Sequence, residues 1–328
     1  MNIQRKKLKI FFIFLILTDL FVYLLSYSGV FSGHAVASYM MILPATGVSL
    51  AIYIYEKEKL NYLNYIMLAS FIIFSLLILV YIIFRTTGII KFDFPNALIH
   101  VIGYIPSLAI FAYAIINSGD KNDELNILKN FKKSLMYLII FIFFWFILII
   151  VFKIKVINIE FIFQFIISMV SILGIIVMII FFIGEEYAWR GYLQDIFQNK
   201  FGKRLGVILL GILWETWHFP IWHSYYNVDI YGNIIRYIYV ISIGIFIGYA
   251  YMKTRNIFLC AIIHCANNLL CGFSDILELN KEVLFINSNA GYLMLGISVI
   301  SFMFIFKKDY NNNRNVIKKI KRDLNHET

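Results

Sequence analysis

Gly184-Glu185-Glu186-Tyr187-Ala188-Trp189-Arg190-Gly191 adjoins an apolar run from Phe161 to Ile183. A charge carried to mid-bilayer costs roughly 2.5–3.5 kcal/mol on insertion scales, so ionisable residues beside such a run are rare without a use. Successive helical positions lie about 100° apart, which keeps Glu185 and Glu186 from facing one cavity together, whereas residues four apart share a face. The spacing therefore predicts a Glu186–Arg190 pair and leaves Glu185 as the carboxylate free to act as a base. A second reading stays open at this point: the charges mark the place where the helix leaves the membrane.

Working outward, the 328 residues are 61% hydrophobic and 18% aromatic, with a mean hydropathy of +0.79. Soluble domains hold about 45–50% apolar residues. The composition predicts an all-α fold, a polytopic membrane helix bundle of about 8–10 transmembrane helices. Ten apolar runs lie at 10–28, 36–55, 65–84, 98–117, 134–152, 161–183, 205–222, 236–252, 257–272 and 290–306. Residues 1–133 form an N-terminal transmembrane region, 134–306 a membrane core with its motifs within 161–275, and 307–328 a basic cytoplasmic tail.

The net charge of +10 does not point to nucleic acid, because the basic residues lie between the apolar runs and at the ends. Of the 29 lysines and arginines, 23 fall in segments on the side of the N-terminus and six on the other. That asymmetry predicts both termini in the cytoplasm, in a multi-pass protein of the cell membrane whose partner is the lipid bilayer. Cys260, Cys265 and Cys271 crowd into one predicted span and have no disulfide spacing, so they are expected to be reduced thiols.

Asp19 and His100 are lone polar groups in the early spans, and helix packing accounts for both. Residues 188–199 look like an amphipathic interfacial helix, with Trp189, Tyr192, Leu193, Ile196 and Phe197 apolar and Arg190, Gln194, Asp195 and Gln198 polar. Gly202-Lys203-Arg204 breaks that pattern, and Pro220 is expected to end or kink the seventh helix just after His218. Gly244 and Gly248 form a small-xxx-small pair that permits close helix contact.

His218 follows Trp214 by four residues, and His264 precedes Asn268 by four, so each pair shares a helical face. Read singly, each histidine also fits a hydrogen-bonded bundle residue, and His264 with Asn268 is the more informative of the two. Together, a glutamate pair, a histidine on a second helix and a His/Asn pair on a third supply a base, its partner and two oxyanion donors, the set required for water attack on an amide. Glu215-x-x-His218 also resembles a di-iron ligand pair, but such sites need two copies and the chain has one.

Glu185-Glu186-x-x-x-Arg190, Trp214-x-x-x-His218 and His264-x-x-x-Asn268, in that order on separate apolar segments, resemble the CPBP intramembrane proteases, relatives of the CAAX prenyl endopeptidases also called Abi proteins. The resemblance covers roughly residues 161–275, with Trp214 where the family usually has Phe. It implies proteolysis at or within the membrane, with Glu185 and His218 activating a water, His264 and Asn268 holding the oxyanion, and Glu186 and Arg190 as structural support. Prenylated tails, bacteriocin precursors, signal peptides and other membrane-associated peptides or proteins are the substrates it allows. No His-Glu-x-x-His occurs, and the expected chemistry uses no metal, although Glu185, His218 and His264 would form a three-ligand zinc site. The alternative is a non-catalytic scaffold or immunity protein on the same fold.

The boundaries conflict in one respect. If the sixth span ends at Ile183, His218 lies about 21 Å up the next helix from Lys203 and Arg204, and Glu185 cannot reach it. The two meet only if 185–197 continue within the protein, or if the seventh helix starts earlier.

Overall fold

The computed structural model describes residues 2–28, 31, 33–89, 96–120, 125–153, 163, 166–167, 170–226, 228–276 and 289–311. Among them are helices α1 (Ile3–Tyr27), α2 (Gly33–Tyr55), α3 (Tyr62–Thr86), α4 (Asn96–Ile116) and α5 (Phe131–Lys153), and no strand. Helix α6 runs without a break through three pieces, the α-helical Ile175–Glu186, the π-helical Tyr187–Gln194 and the α-helical Asp195–Phe201. Then come α7 (Lys203–Ser224), α8 (Ile230–Thr254), α9 (Ile257–Ile276) and α10 (Asn289–Phe302). Six helices are long and apolar enough to cross a membrane, and three shorter apolar helices lie at Val101–Ile116, Ile257–Cys271 and Leu293–Phe306. In a bilayer every backbone group must be satisfied within its own segment, which is why apolar runs of this length fold as helices. The chain is a multi-pass helical membrane protein. The basic tail from 312 onward lies outside the described residues, as does the side chain of His100.

The depth conflict resolves at Gly202. This residue sits at φ 85° and ψ 157°, a region essentially restricted to glycine, and it reverses the chain between α6 and α7 in a single residue. Glu185 lies seventeen residues before Gly202 and His218 sixteen after it, so an antiparallel hairpin brings them to the same level. The premise that the sixth span stops near Ile183 is corrected: the helix continues to Phe201.

The reading of 188–199 as interfacial is also corrected. Arg190, Gln194 and Gln198 are buried, because the polar face is turned toward α8 rather than toward lipid headgroups. The Gln194 side-chain amide donates to the Gly248 carbonyl at 3.0 Å, and a Cβ at Gly248 would lie 3.0 Å from the Gln194 oxygen. The small-residue pair on α8 thus allows the approach expected of it. Pro220 does not end its helix either, since α7 continues to Ser224. The Ser224 hydroxyl donates to the Pro220 carbonyl, and Tyr23 of α1 stacks on His223 in the last turn with ring centroids 6.1 Å apart.

The N-terminal helices form one wall of the core. Asn64 on α3 donates to Ser49 on α2 and to the Tyr187 hydroxyl at the start of the π segment, both at 3.0 Å. A Cβ built on Gly184 would lie 2.3 Å from the Met41 carbonyl oxygen and 2.9 Å from the Ile42 Cα, so α2 touches α6 backbone to backbone one residue before Glu185. Gly184→Ala is accordingly expected to cost about 1–3 kcal/mol through forced backbone movement. A lowered thermal midpoint in detergent would report it, with Gly174→Ala, where nothing lies within 4 Å, as the unaffected control.

Candidate active site

Glu185 and Glu186 end the α-helical part of α6 with relative exposures of 1% and 0%. Their side chains diverge as the helical geometry requires. The Glu186 carboxylate meets Arg190, with Nε 3.1 Å from Oε2 and Nη1 donating to Oε1 at 3.3 Å. The same Oε1 accepts from Nδ1 of His264 on α9 at 3.0 Å. Glu186 therefore joins α6 to α9 and fixes the ring of His264, leaving Nε2 as the nitrogen it does not engage. Phe182 stands edge-on to that ring, with centroids 5.2 Å apart.

Glu185 has a partner that the sequence did not reveal. The indole Nε1 of Trp214, on α7, donates to Glu185 Oε2 at 2.6 Å, and both side chains are buried. The Trp214 backbone carbonyl accepts from Nδ1 of His218 at 3.0 Å. A carbonyl only accepts, so Nδ1 carries the proton and Nε2 is left as an acceptor. The Trp214 ring is edge-on to His264 with centroids 5.2 Å apart, and the Arg190 guanidinium lies over it at 4.4 Å. Glu185 and His264 are within electrostatic reach of each other, as are His218 and His264. One tryptophan thus touches groups from α6, α7 and α9.

Asn268 is exposed, one helical turn beyond the buried His264. Its Oδ1 accepts from the Asn267 amide at 3.4 Å. The buried asparagine is Asn267, which accepts from the Tyr239 hydroxyl at 2.6 Å. Beside His218 the structure adds another pair absent from the sequence reading. Arg236 on α8 grips Glu215 with two bonds of 2.8 and 3.0 Å, and its guanidinium lies 3.5 Å above the Trp222 ring. Glu215 Oε2 is 3.6 Å from His218 Nδ1. Arg190 and Arg236 therefore serve buried carboxylates, and neither belongs in a count of topology charges. An arginine at the edge of an apolar run, within helical reach of the buried face, is the signal that could have marked Arg236.

At the three residues that a zinc site would use, the engaged atoms are Glu185 Oε2, held by the Trp214 indole, His218 Nδ1, held by its own backbone, and His264 Nδ1, held by Glu186. Among the described residues no three His, Cys, Asp or Glu side chains are grouped to hold a metal.

Residues 141–270 match the family model described as "Type II CAAX prenyl endopeptidase Rce1-like". That segment is CPBP-like. It contains all three motifs on which the resemblance was drawn, and it coincides with the helices that surround Trp214. A "CAAX prenyl protease 2" of Methanococcus maripaludis is 28% identical over 142 residues, which is 41% of this chain and 48% of that protein. The match thus spans about half the length of the curated relative. No solved structure matches the chain significantly. The CPBP-like segment begins after α4, so α1 to α4 lie outside it although they pack against its first motif.

Proposed function

We propose that this chain is an intramembrane endopeptidase of the CPBP and CAAX-protease type, acting in the cell membrane with both termini in the cytoplasm. Glu185 and His218 activate a water that attacks a peptide bond of a membrane-associated peptide or protein, and His264 with Asn268 holds the oxyanion. Glu186 and Arg190 support the site without touching substrate.

The observation that carries this reading is the meeting of α6, α7 and α9 at Trp214, which brings a buried carboxylate and two imidazoles together inside an apolar bundle. Charged groups in that setting are expensive and mark function by default. Each supports a step that the reaction needs. Glu185 Oε1 is not held by the Trp214 indole and can take a proton from water, then hand it to the leaving amine as the tetrahedral intermediate collapses. His218, with Nδ1 committed to a carbonyl, has Nε2 free to accept a second proton and return it to the leaving amine. Glu186 orients His264 from behind, and Asn268, at the exposed side of α9, supplies an amide donor beside it.

The test compares membranes from cells carrying the wild-type protein, the Glu185→Gln variant or no protein, with peptides identified by mass spectrometry. The account expects peptides that accumulate, or precursors that disappear, only with the wild type. Identical profiles from wild type and Glu185→Gln, together with an unchanged cellular effect, would favour a scaffold on the same fold.

A further inference from the structure

We propose that Trp214 is a positioning residue for Glu185, its indole N–H selecting which carboxylate oxygen is left to take the proton of the attacking water. This rests on the protease reading above. The bond is short, 2.6 Å from Nε1 to Oε2, below the usual 2.7–2.9 Å of charge-assisted N–H···O bonds, and such bonds are roughly twice as strong as neutral ones. It lies in a dry environment, with Glu185 at 1% and Trp214 at 4% exposure, where a hydrogen bond is electrostatically stronger than in water.

Indole suits the task because it donates and cannot accept. It never competes for the proton that Glu185 takes, and it keeps its own throughout the cycle. With Oε2 held by Trp214, Oε1 is the oxygen left to meet water, and the Trp189 indole of the same helix lies beside the carboxylate as a further donor. The indole is in turn locked from three sides. Arg190 covers the ring at 4.4 Å, His264 abuts it at 5.2 Å between centroids, and Trp217 and His218 occupy the next turn of the helix. The residue that orients the carboxylate is thus held by the same groups that flank the reacting atoms. A phenylalanine at 214 would fill much of the volume and supply no donor.

Trp214→Phe separates these contributions. In purified protein it is expected to lower kcat by about tenfold to a hundredfold, the loss of one hydrogen bond to a charged group, with KM changed less than about twofold. A lower thermal midpoint with kcat intact would reduce Trp214 to packing and overturn the proposal. A raised KM with unchanged kcat would make it a substrate contact and overturn it as well.

A second measurement needs no cleavage. The ultraviolet resonance Raman difference between wild type and Trp214→Phe isolates one indole of the five in the chain. Its N–H mode is expected at the strongly hydrogen-bonded position and should move to the weakly bonded one in a Glu185→Leu background. No movement would overturn the proposal even if the protein proves to be a protease. A clear movement in a protein that cleaves nothing would instead count against the protease reading while leaving the Trp214–Glu185 bond in place.

Discussion

Glu185→Gln is expected to abolish cleavage, lowering kcat by about a thousandfold or more, while the protein still inserts and folds. The amide keeps the shape of the side chain and can still accept the Trp214 N–H through its oxygen, so the local packing survives. What it loses is the lone pair that takes a proton from water. His218→Ala and His264→Ala are expected to lose cleavage with it, at unchanged expression. Glu186→Gln should behave differently. Glu186 meets Arg190 and His264 and not the water, so its amide variant should lose activity partially and stability measurably. The check is a cleavage assay in membranes on the same set of variants, with thermal midpoints recorded for each. Wild-type cleavage by Glu185→Gln would remove the carboxylate from the mechanism.

Arg190→Leu is expected to be the most destabilising single substitution in the core. Arg190 is 2% exposed and is the cation facing a Glu186 carboxylate with no exposure at all. Deleting one partner of a buried ion pair leaves the other charge uncompensated, at a cost of about 3–5 kcal/mol. It would also remove the guanidinium from the Trp214 ring, an interaction worth about 1–2 kcal/mol when desolvated. Replacing both Glu186 and Arg190 by leucine should recover part of the loss, because no charge is then stranded. Unfolding midpoints of the single and double variants in detergent measure this directly. An Arg190→Leu protein as stable as wild type would mean that the pair is not energetically coupled.

Much of this architecture was legible because membrane helices leave few choices. Each of the ten apolar runs overlaps a helix among the described residues, and the four-residue spacing of Glu186 and Arg190 predicted their ion pair. The order of the three motifs named the helices that meet. Other features were out of reach for physical reasons. Amphipathic periodicity over 188–199 says that one face is polar and does not say what that face meets, and here it meets α8. Pro220 removes one backbone donor, but a bundle can brace the turn around it, so its presence did not set the end of α7. The Glu215–Arg236 pair links residues on different helices, and no spacing rule connects them. Trp214 was visible as a departure from the usual phenylalanine, yet only the three-dimensional arrangement aims its N–H at Glu185. The apparent mismatch in depth between Glu185 and His218 came from ending the sixth helix at the charges, as though ionisable residues must lie outside the membrane.

The central claim is that a water held between Glu185 and His218 attacks the peptide bond directly. A single turnover of purified enzyme and a cleavable peptide in water enriched in oxygen-18 tests it most directly, with both the product and the Glu185 peptide weighed by mass spectrometry. The account predicts one heavy oxygen in the new C-terminal carboxylate of the product and none in Glu185. Heavy oxygen in the Glu185 carboxylate would make that residue a nucleophile, and equal labelling of product by the Glu185→Gln variant would contradict the account altogether.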